Sequence, residues 1–386
     1  MTRIAIAAFI AAVVLYFVSL YVYIPILPAF VAGRTPTLAA VGIVLAMYGL
    51  WTAVLRMPMG IAADATGRNR PFLVLGTLMA GAGAAVMLAG RSLGTLALGR
   101  AFTGVAAAAW VPMMAVFAGY FAPRQAIFAT SLLSFASSLG QMIGTGSTGL
   151  VESLGGYGLT FVAAVGFSIL ASLIFLIVKI PKSAERRPEP LSGRSILAVA
   201  RRRDVIVPSL TNALCQFGVW ALTFGFMPLL AARMGAGAGA TGLIMTLNIA
   251  ANTAANLFAT LIANRGGRRP LLYLSFAVFA GGAMLAAFGA TLPFLFVSTV
   301  LMGLANGLFF PILLGLSIQR VDTAQRSTAM GIHQAVYAVG MFTGPWVGGI
   351  VADALGIRAM FAIVAAFSFV GPGSLFLLYR DPVKEG

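Results

Sequence analysis

Residues 179–204 read KIPKSAERRPEPLSGRSILAVARRRD and form the one sustained polar stretch in a chain of 386 residues. On either side the chain is strongly apolar: 60% of all residues are hydrophobic and only 9% are charged. Soluble proteins carry about 25% charged residues, so this composition cannot cover a surface that faces water. It excludes soluble enzymes, nucleic-acid-binding domains and disordered scaffolds, and it indicates a multi-pass membrane protein.

The apolar runs that flank this stretch can cross a bilayer, because a spanning helix needs about 20 apolar residues. Gly, Pro and charged residues divide the runs into predicted helices at 4–30, 38–62, 72–90, 93–119, 125–152, 157–179, 205–232, 239–263, 270–290, 292–319, 326–352 and 356–379. The first run lacks a small-residue cleavage pattern and is predicted to be a span. The sequence therefore predicts an all-α membrane protein with twelve transmembrane helices: a six-helix bundle at 1–179, a cytoplasmic linker at 180–204 and a second six-helix bundle at 205–386.

The net charge of +16 is an orientation signal in such a protein. Most of the 25 Lys and Arg residues fall in the connections on the side of the N-terminus. The positive-inside rule assigns such connections to the cytoplasm, so both termini and the linker are expected there. We expect a multi-pass protein of a bacterial or archaeal plasma (inner) membrane, with no nucleic-acid partner.

The two halves repeat with a shift of 200 residues. Coinciding pairs include Pro28 and Pro228, Gly42 and Gly242, Arg68 and Arg268, Gly140 and Gly340, and Gly144 and Gly344. Because six crossings return the chain to the same side, the bundles are expected to be parallel repeats related by a pseudo-twofold axis along the membrane normal. Two repeats that rock about a site between them are typical of alternating access, which predicts a transporter.

Short motifs in both halves resemble the major facilitator superfamily. The loop GIAADATGRNR at 60–70 resembles the cytoplasmic signature of that family, and NRGGRR at 264–269 is similar to a second copy. RAFTG at 100–104 is similar to the embedded-arginine motif of proton-coupled members. GMFTGPWVGG at 340–349 resembles the glycine–proline pattern that antiporters carry in the fifth span, where Thr145 stands in this chain in place of the proline. The drug/proton antiporter branch is the most similar, which implies export of amphiphilic compounds through a cavity lined mainly by the first, fourth, seventh and tenth helices.

The signature loop contains a candidate conformational latch, formed by Gly60, Asp64, Gly67, Arg68 and Arg70. A carboxylate at a helix end can pair with a guanidinium and with the exposed N–H groups of another helix. Such a contact can hold one conformer and release the other. The alternative is an ion pair that only fixes the loop.

Candidates for ion coupling are Arg100, His333, Glu152 and Asp353. Arg100 is the only basic side chain predicted deep inside a span, where a guanidinium is costly and usually functional; a structural bond to backbone carbonyls is the alternative. A histidine titrates near neutrality, although a buried structural role fits His333 equally well. Acidic residues avoid the middle of every predicted span, and Glu152 and Asp353 lie at the outer ends of the fifth and eleventh. If neither these carboxylates nor His333 titrate, a uniporter is the simpler interpretation.

Polar and aromatic residues within the spans are candidates for a substrate cavity, because unpaired amides facing lipid would be unfavourable. The candidates are Tyr16, Trp110, Gln141, Asn212, Gln216, Trp220, Asn252, Asn306, Gln334 and Tyr337. Asn248, Asn252 and Asn256 recur every four residues, so this stripe either joins helices by hydrogen bonds or lines the cavity. Gly340, Gly344 and Gly348 share a helix face with Pro345 nearby, which predicts a close, bent helix–helix contact.

Taken together, these features predict a secondary active transporter that works by alternating access and exports a small amphiphilic compound in exchange for protons. An importer or uniporter of a small metabolite and a lipid or lysolipid flippase are the alternatives. The expected partners are a small-molecule substrate, protons and membrane lipids, and the expected state is a monomer. Since no nucleophile–base pair or metal cluster is visible in the sequence, neither an enzyme nor a metal or cofactor is expected.

Overall fold

The computed structural model describes residues 2–122, 125–181, 193–262, 268–322 and 325–377, leaving out the side chains of a few helical residues such as Asp64. Every regular element in these ranges is a helix. The helices are α1 (Thr2–Tyr21), α2 (Leu27–Ala32), α3 (Leu38–Thr66), α4 (Arg70–Ala89), α5 (Leu93–Ala108), α6 (Trp110–Ala118), α7 (Ala126–Ile177), α8 (Gly193–Ala200), α9 (Arg203–Ala221), α10 (Met227–Arg233), α11 (Ala238–Ile262), α12 (Arg268–Phe288), α13 (Leu292–Gln319), α14 (Arg326–Leu355) and α15 (Ile357–Leu377). A π-helix, Leu222–Phe226, joins α9 to α10.

Eleven helical segments in the described ranges are long and apolar enough to cross a membrane, against twelve predicted. The difference lies in α7, which runs for 52 residues. At 1.5 Å per residue such a helix would be about 78 Å long, more than twice the thickness of a hydrocarbon core of about 30 Å. Gly155 and Gly156 leave the helical conformation inside α7, and Gly156 has a φ of 68° that glycine adopts without strain. This interruption falls between the predicted helices 125–152 and 157–179.

Three other predicted helices are also interrupted. The predicted helix 4–30 ends at Tyr21, and the chain turns before α2. The predicted helix 205–232 passes through the π-helix before α10, and the predicted helix 93–119 breaks at Ala109. Pro28 and Pro228 stand in the first turn of α2 and α10. Proline has no N–H and is tolerated mainly at the start of a helix. The interruptions before α2 and before α10 therefore each allow a new helix to begin with a proline in its first turn.

Helices of the same half pack in matching pairs. In residues 2–181, α1 packs on α7, α3 on α5, and α4 on both α5 and α7. In residues 193–377, α9 packs on α14, α11 on α13, and α12 on both α13 and α15. A Cβ added to Gly140 would lie 2.6 Å from the carbonyl oxygen of Val14, so glycine lets α7 approach α1 closely.

Side-chain contacts define two ends of the molecule. At the terminal face, Arg70 donates to the carbonyl of Val178 (2.7 Å) and Tyr120 donates to that of Lys179 (2.6 Å). At the distal face, Arg358 donates to the carbonyls of Ala287 (2.9 Å) and Gly289 (2.8 Å). The start of α1 at Thr2, residues 66–70 and residues 319–322 lie toward the terminal face, whereas residues 33–38, 149 and 353–358 lie toward the distal face.

The predicted linker 180–204 is partly helical. Residues 182–192 lie outside the described ranges, and α8 and the first turn of α9 occupy the rest. Arg202 forms an ion pair with Asp204 (2.8 Å) and donates to the carbonyl of Arg320 (2.8 Å). Hydrogen bonds to the Asp204 carboxylate raise the pKa of Arg202. These contacts attach the end of the linker to the end of α13.

Candidate functional site

The two halves meet along a seam in which α3 packs on α14 and α7 packs on α11. The contacts are backbone to backbone. A Cβ on Gly42 would overlap the carbonyl oxygen of Pro345, and a Cβ on Gly242 would lie 2.5 Å from that of Thr145. Gly149 similarly meets Gly239. Glycines therefore bring helices of opposite halves within van der Waals contact toward the distal face.

Hydrogen bonds also cross this seam. The Asp353 carboxylate accepts from the backbone N–H of Leu38 (2.9 Å) and so binds the first turn of α3, where an acidic group is favourable. The hydroxyls of Thr145 and Thr246 lie 2.7 Å apart and share a hydrogen bond. In the sequence Thr145 stood out only as the residue in place of a proline, and in the structure its side chain bridges the halves.

An aromatic layer closes the seam next to these contacts. The rings of Tyr48 and Trp220 stack across it with centroids 5.0 Å apart, and Trp220 lies 4.8 Å from Phe224. Tyr21 contacts Phe224 from the other half at 6.4 Å. The cavity left between these rings and Arg100 measures about 10 Å³, the space of about one water molecule. The layer and the glycine contacts together therefore close the seam toward the distal face in this conformation.

Arg100 lies in α5 beside the aromatic layer and is 4% exposed. Its guanidinium carbon lies 4.5 Å from the centre of the Tyr48 ring, and one Nη donates to Thr103 at 3.3 Å. Its Nε is buried without a hydrogen-bond partner. A cation–π contact and a single hydroxyl do not neutralise the charge, and no carboxylate forms an ion pair with Arg100 in the described part of the chain.

Arg56 is a second arginine inside a span, which the sequence analysis missed by treating Arg100 as the only one. It lies in α3, ten residues before the end at Thr66, or about 15 Å from it. Its Nη1 donates to the hydroxyl of Tyr337 in α14 (2.5 Å), and its Nε is buried without a partner. The sequence feature that could have identified Arg56 as an intramembrane arginine is its position inside the apolar run 38–62.

His333 is fully buried within the C-terminal half. Its Nδ1 lies 3.0 Å from the hydroxyl of Ser209, and its Nε2 lies 2.9 Å from the amide nitrogen of Asn212. Ser209 donates to the carbonyl of Val205 (2.6 Å), so it accepts from Nδ1–H while Nε2 accepts from Asn212. This arrangement suits a neutral imidazole joining α14 to α9, and it favours the structural role over proton transfer for His333.

Several other predicted cavity residues hold helices together within one half. Gln216 donates to Asn306 (3.2 Å), which joins α9 to α13. Tyr16 donates to the carbonyl of Ala106 (2.7 Å) and is fully buried. Asn248 donates to the carbonyl of Thr299 (2.8 Å), which favours helix joining for that stripe. The half-buried candidates are Trp110, Gln141, Asn252, Asn306 and Gln334, and Glu152 is also half-buried.

The predicted packing glycines face α9. A Cβ on Gly340 would overlap the carbonyl of Ala213, and one on Gly344 would overlap that of Phe217. At Gly348 the added atom would lie 3.3 Å from the Cβ of Ala221. These positions bring α14 and α9 together, while Pro345 lies inside α14 with its carbonyl toward α3.

The structure describes the predicted latch residues Gly60, Gly67, Arg68 and Arg70, but not the side chain of Asp64. A Cβ on Gly60 would lie 3.0 Å from the Val111 side chain, and Gly67 has a φ of 62°, in the left-handed region that favours glycine. Arg70 is bonded to the end of α7, and Arg68 is exposed. The side chain of Asp64 and residues 263–267, which include most of the second copy of the motif, lie outside the described part.

A larger cavity of about 300 Å³ lies at the terminal face of the C-terminal half. It is lined by Ala259, Arg268, Leu271 and Arg326 and by residues of α13. Arg268 donates to Gln319 at 2.6 Å. Within the described ranges no group of three or more His, Cys, Asp or Glu residues could hold a metal ion.

Comparisons with known proteins agree with this architecture. The sequence model of the Major Facilitator Superfamily matches residues 9–239 and 209–386. The MFS-type transporter MJ1560 of Methanocaldococcus jannaschii is 22% identical over 357 residues, which cover 90% of each chain. The multi-drug resistance efflux pump PmrA of Streptococcus pneumoniae is 28% identical over 157 residues, or 39% of this chain and 38% of the pump. The crystal structure of the nucleoside transporter NupG superposes with a TM-score of 0.82 at 12% identity, covering 98% of this chain and 99% of NupG. The chain is therefore a multi-pass membrane transporter that belongs to the Major Facilitator Superfamily.

Proposed function

We propose that the protein works by alternating access between two six-helix bundles, residues 1–179 and 205–386, with twelve crossings in all. The break at Gly155 and Gly156 supports counting α7 as two spans, since a single straight helix of 52 residues would be too long for one crossing. The matching helix pairs within each half support a pseudo-twofold relation between them.

The seam is the observation that carries this proposal. Positions separated by 200 residues make the same contact in it: Gly42 meets the carbonyl of Pro345, and Gly242 meets that of Thr145. The contacts are small and easily exchanged, because they consist of glycine backbones, single hydroxyls and stacked rings. A seam of this kind can separate at one face and form at the other without unfolding either half.

The direction of the cycle follows from the charges. With cytoplasmic termini, as the positive-inside rule favours, the distal face is extracellular and this conformation is closed to the outside. Asp353 contributes to that closure by accepting from the backbone N–H of Leu38. Exchange for protons is taken as the driving force of this cycle.

The cargo of this cycle is a small amphiphilic organic compound that leaves the cell. Aromatic rings of the two halves supply apolar contact area, while a few polar groups at the seam supply orientation. The matches to multidrug efflux pumps support export, although those pumps align with this chain over less than half its length.

Proteoliposomes containing the purified protein and trapped pyranine test this function. Addition of amphiphilic compounds of different charge should change the internal pH only when protein is present and should depend on an imposed pH gradient. Asp353→Asn and Glu152→Gln each remove one carboxylate toward the distal face, and loss of the gradient dependence in one variant alone would identify that carboxylate as required for coupling. Equal flux with and without the gradient would contradict proton coupling and favour a uniporter.

A further inference from the structure

Two guanidinium groups lie at the seam, and none of the acidic side chains that the structure describes balances their charge. Arg100 is 4% exposed beside the aromatic layer, and Arg56 is half-buried in the neighbouring helix α3. Neither forms an ion pair in the described part of the chain, where the ion pair found is between Arg202 and Asp204. Tyr48 links the two arginines: its ring centre lies 4.5 Å from the guanidinium carbon of Arg100, and Arg56 follows it on α3 by eight residues, or about 12 Å.

Both arginines also keep a buried donor unused. The Nε atoms of Arg56 and Arg100 have no hydrogen-bond partner, although each side chain uses an Nη to bind a hydroxyl, of Tyr337 and Thr103 respectively. An unsatisfied buried donor on a charged group is costly. Two like charges in a region of low dielectric also repel each other, and a cation inside a membrane protein normally has an acceptor or an anion beside it.

Among the residues whose side chains the structure describes, no acidic group supplies that anion. Among the described residues of the spans, Glu152 lies toward the distal end of the first part of α7, and Asp353 binds the N-terminus of α3 at the distal face. Asp204 is engaged by Arg202 at the terminal face. The positive charge at the seam is therefore available to a ligand.

We infer that the transported compound is an organic anion whose carboxylate binds between Arg56 and Arg100 when the aromatic layer, which leaves about 10 Å³ in this conformation, opens. A planar guanidinium binds a carboxylate through two parallel N–H···O bonds, so the free Nε and an Nη of each arginine can engage one oxyanion. The rings of Tyr48 and Trp220 then contact the apolar part of the ligand. Because Arg56 belongs to α3 and bonds to Tyr337 of the other half, a ligand here contacts both halves.

This inference rests on the proposed transport function and adds the charge of the substrate. It differs from a site for a cationic drug, which would need a carboxylate near the aromatic layer. Since arginine stays charged across the physiological pH range, the preference of the site for anions should not change between pH 6 and pH 8.

Binding to the purified protein tests the inference separately from transport. The probes are 1-naphthaleneacetate, 1-naphthaleneacetamide and 2-(1-naphthyl)ethylamine, which share one ring system and differ in charge. Calorimetry should give the carboxylate at least tenfold tighter binding than the amide, and the amine should bind no better than the amide. Arg56→Gln and Arg100→Gln should each remove most of this preference. Arg56→Lys and Arg100→Lys should each keep part of the preference for the carboxylate, because lysine retains the positive charge but lacks the planar pair of N–H donors.

Arg91→Gln is the matched control, since Arg91 is exposed in the connection between α4 and α5. Its preference for the carboxylate should equal that of the unmodified protein. Equal binding of the three probes, or a carboxylate preference that survives both Gln variants, would overturn the anion site. Selective binding without any compound-dependent flux in proteoliposomes would leave the site intact and contradict the proposed transport function.

Discussion

Gly42→Ala should open the seam at the distal face. The added methyl would overlap the carbonyl oxygen of Pro345 and lie 2.9 Å from the Cα of Gly349. Carbon atoms in contact need about 3.5 Å, so α3 and α14 must separate by about 0.6 Å or more. Overpacking of this kind costs about 1–3 kcal/mol. At 1.4 kcal/mol per tenfold change, the balance between closed and open distal faces should shift by roughly 5- to 140-fold.

Distance measurements between spin labels can detect this shift. Labels at Arg91 and Arg233, exposed at the distal ends of the two halves, should give a short distance in the unmodified protein. In Gly42→Ala a longer distance should become populated. Gly166→Ala is the matched control, because nothing lies within 4 Å of a Cβ at that position. An unchanged distribution in a folded Gly42→Ala protein would refute the idea that this contact holds the distal face closed.

Three further outcomes follow from single contacts. The double variant Thr145→Cys, Thr246→Cys should form a disulfide on oxidation, because the native hydroxyls lie 2.7 Å apart. The cross-link should stop flux until a reductant is added. Flux that continues after cross-linking would contradict alternating access. Tyr16→Phe removes the hydroxyl that donates to the buried carbonyl of Ala106, which keeps the backbone N–H of Ala109 as a donor. The loss should cost about 0.5–1.5 kcal/mol and lower the melting temperature in detergent; an unchanged melting temperature would contradict a stabilising role of this bond. Gly67→Ala forces a left-handed backbone on alanine and should destabilise the protein by about 1–2 kcal/mol. Gly94→Ala is the control, because nothing lies within 4 Å of a Cβ at that position. Equal melting temperatures of the two variants would contradict the strain at Gly67.

The helical segments and their approximate ends were predictable because a membrane imposes a strong local rule. A segment in lipid must be apolar and must satisfy its own backbone hydrogen bonds, so hydropathy alone locates α3, α11 and α13 within a few residues. Finer features escaped this rule. The π-helix at Leu222–Phe226 has no hydropathy signal, although Pro228 after it indicated an irregularity.

Site residues were predictable only as candidates. The sequence indicated that Asn212, Gln216 and His333 face inward, because an amide or imidazole facing lipid is unfavourable. It could not separate a residue that lines a cavity from one that bonds to a neighbouring helix. The structure separates them: His333 is enclosed by Ser209 and Asn212, whereas Trp220 reaches the other half.

The membrane class and the 200-residue repeat follow from composition and spacing, which are properties of the amino-acid sequence, and the same features predict a division into two halves. Which side chains meet across the seam is visible only in the folded protein. Arg56 and Tyr337 lie 281 residues apart, and Thr145 and Thr246 lie 101 apart. Their pairing depends on how two packed bundles are positioned against each other. No local preference of either residue encodes that position, because it arises from the summed contacts of whole helices.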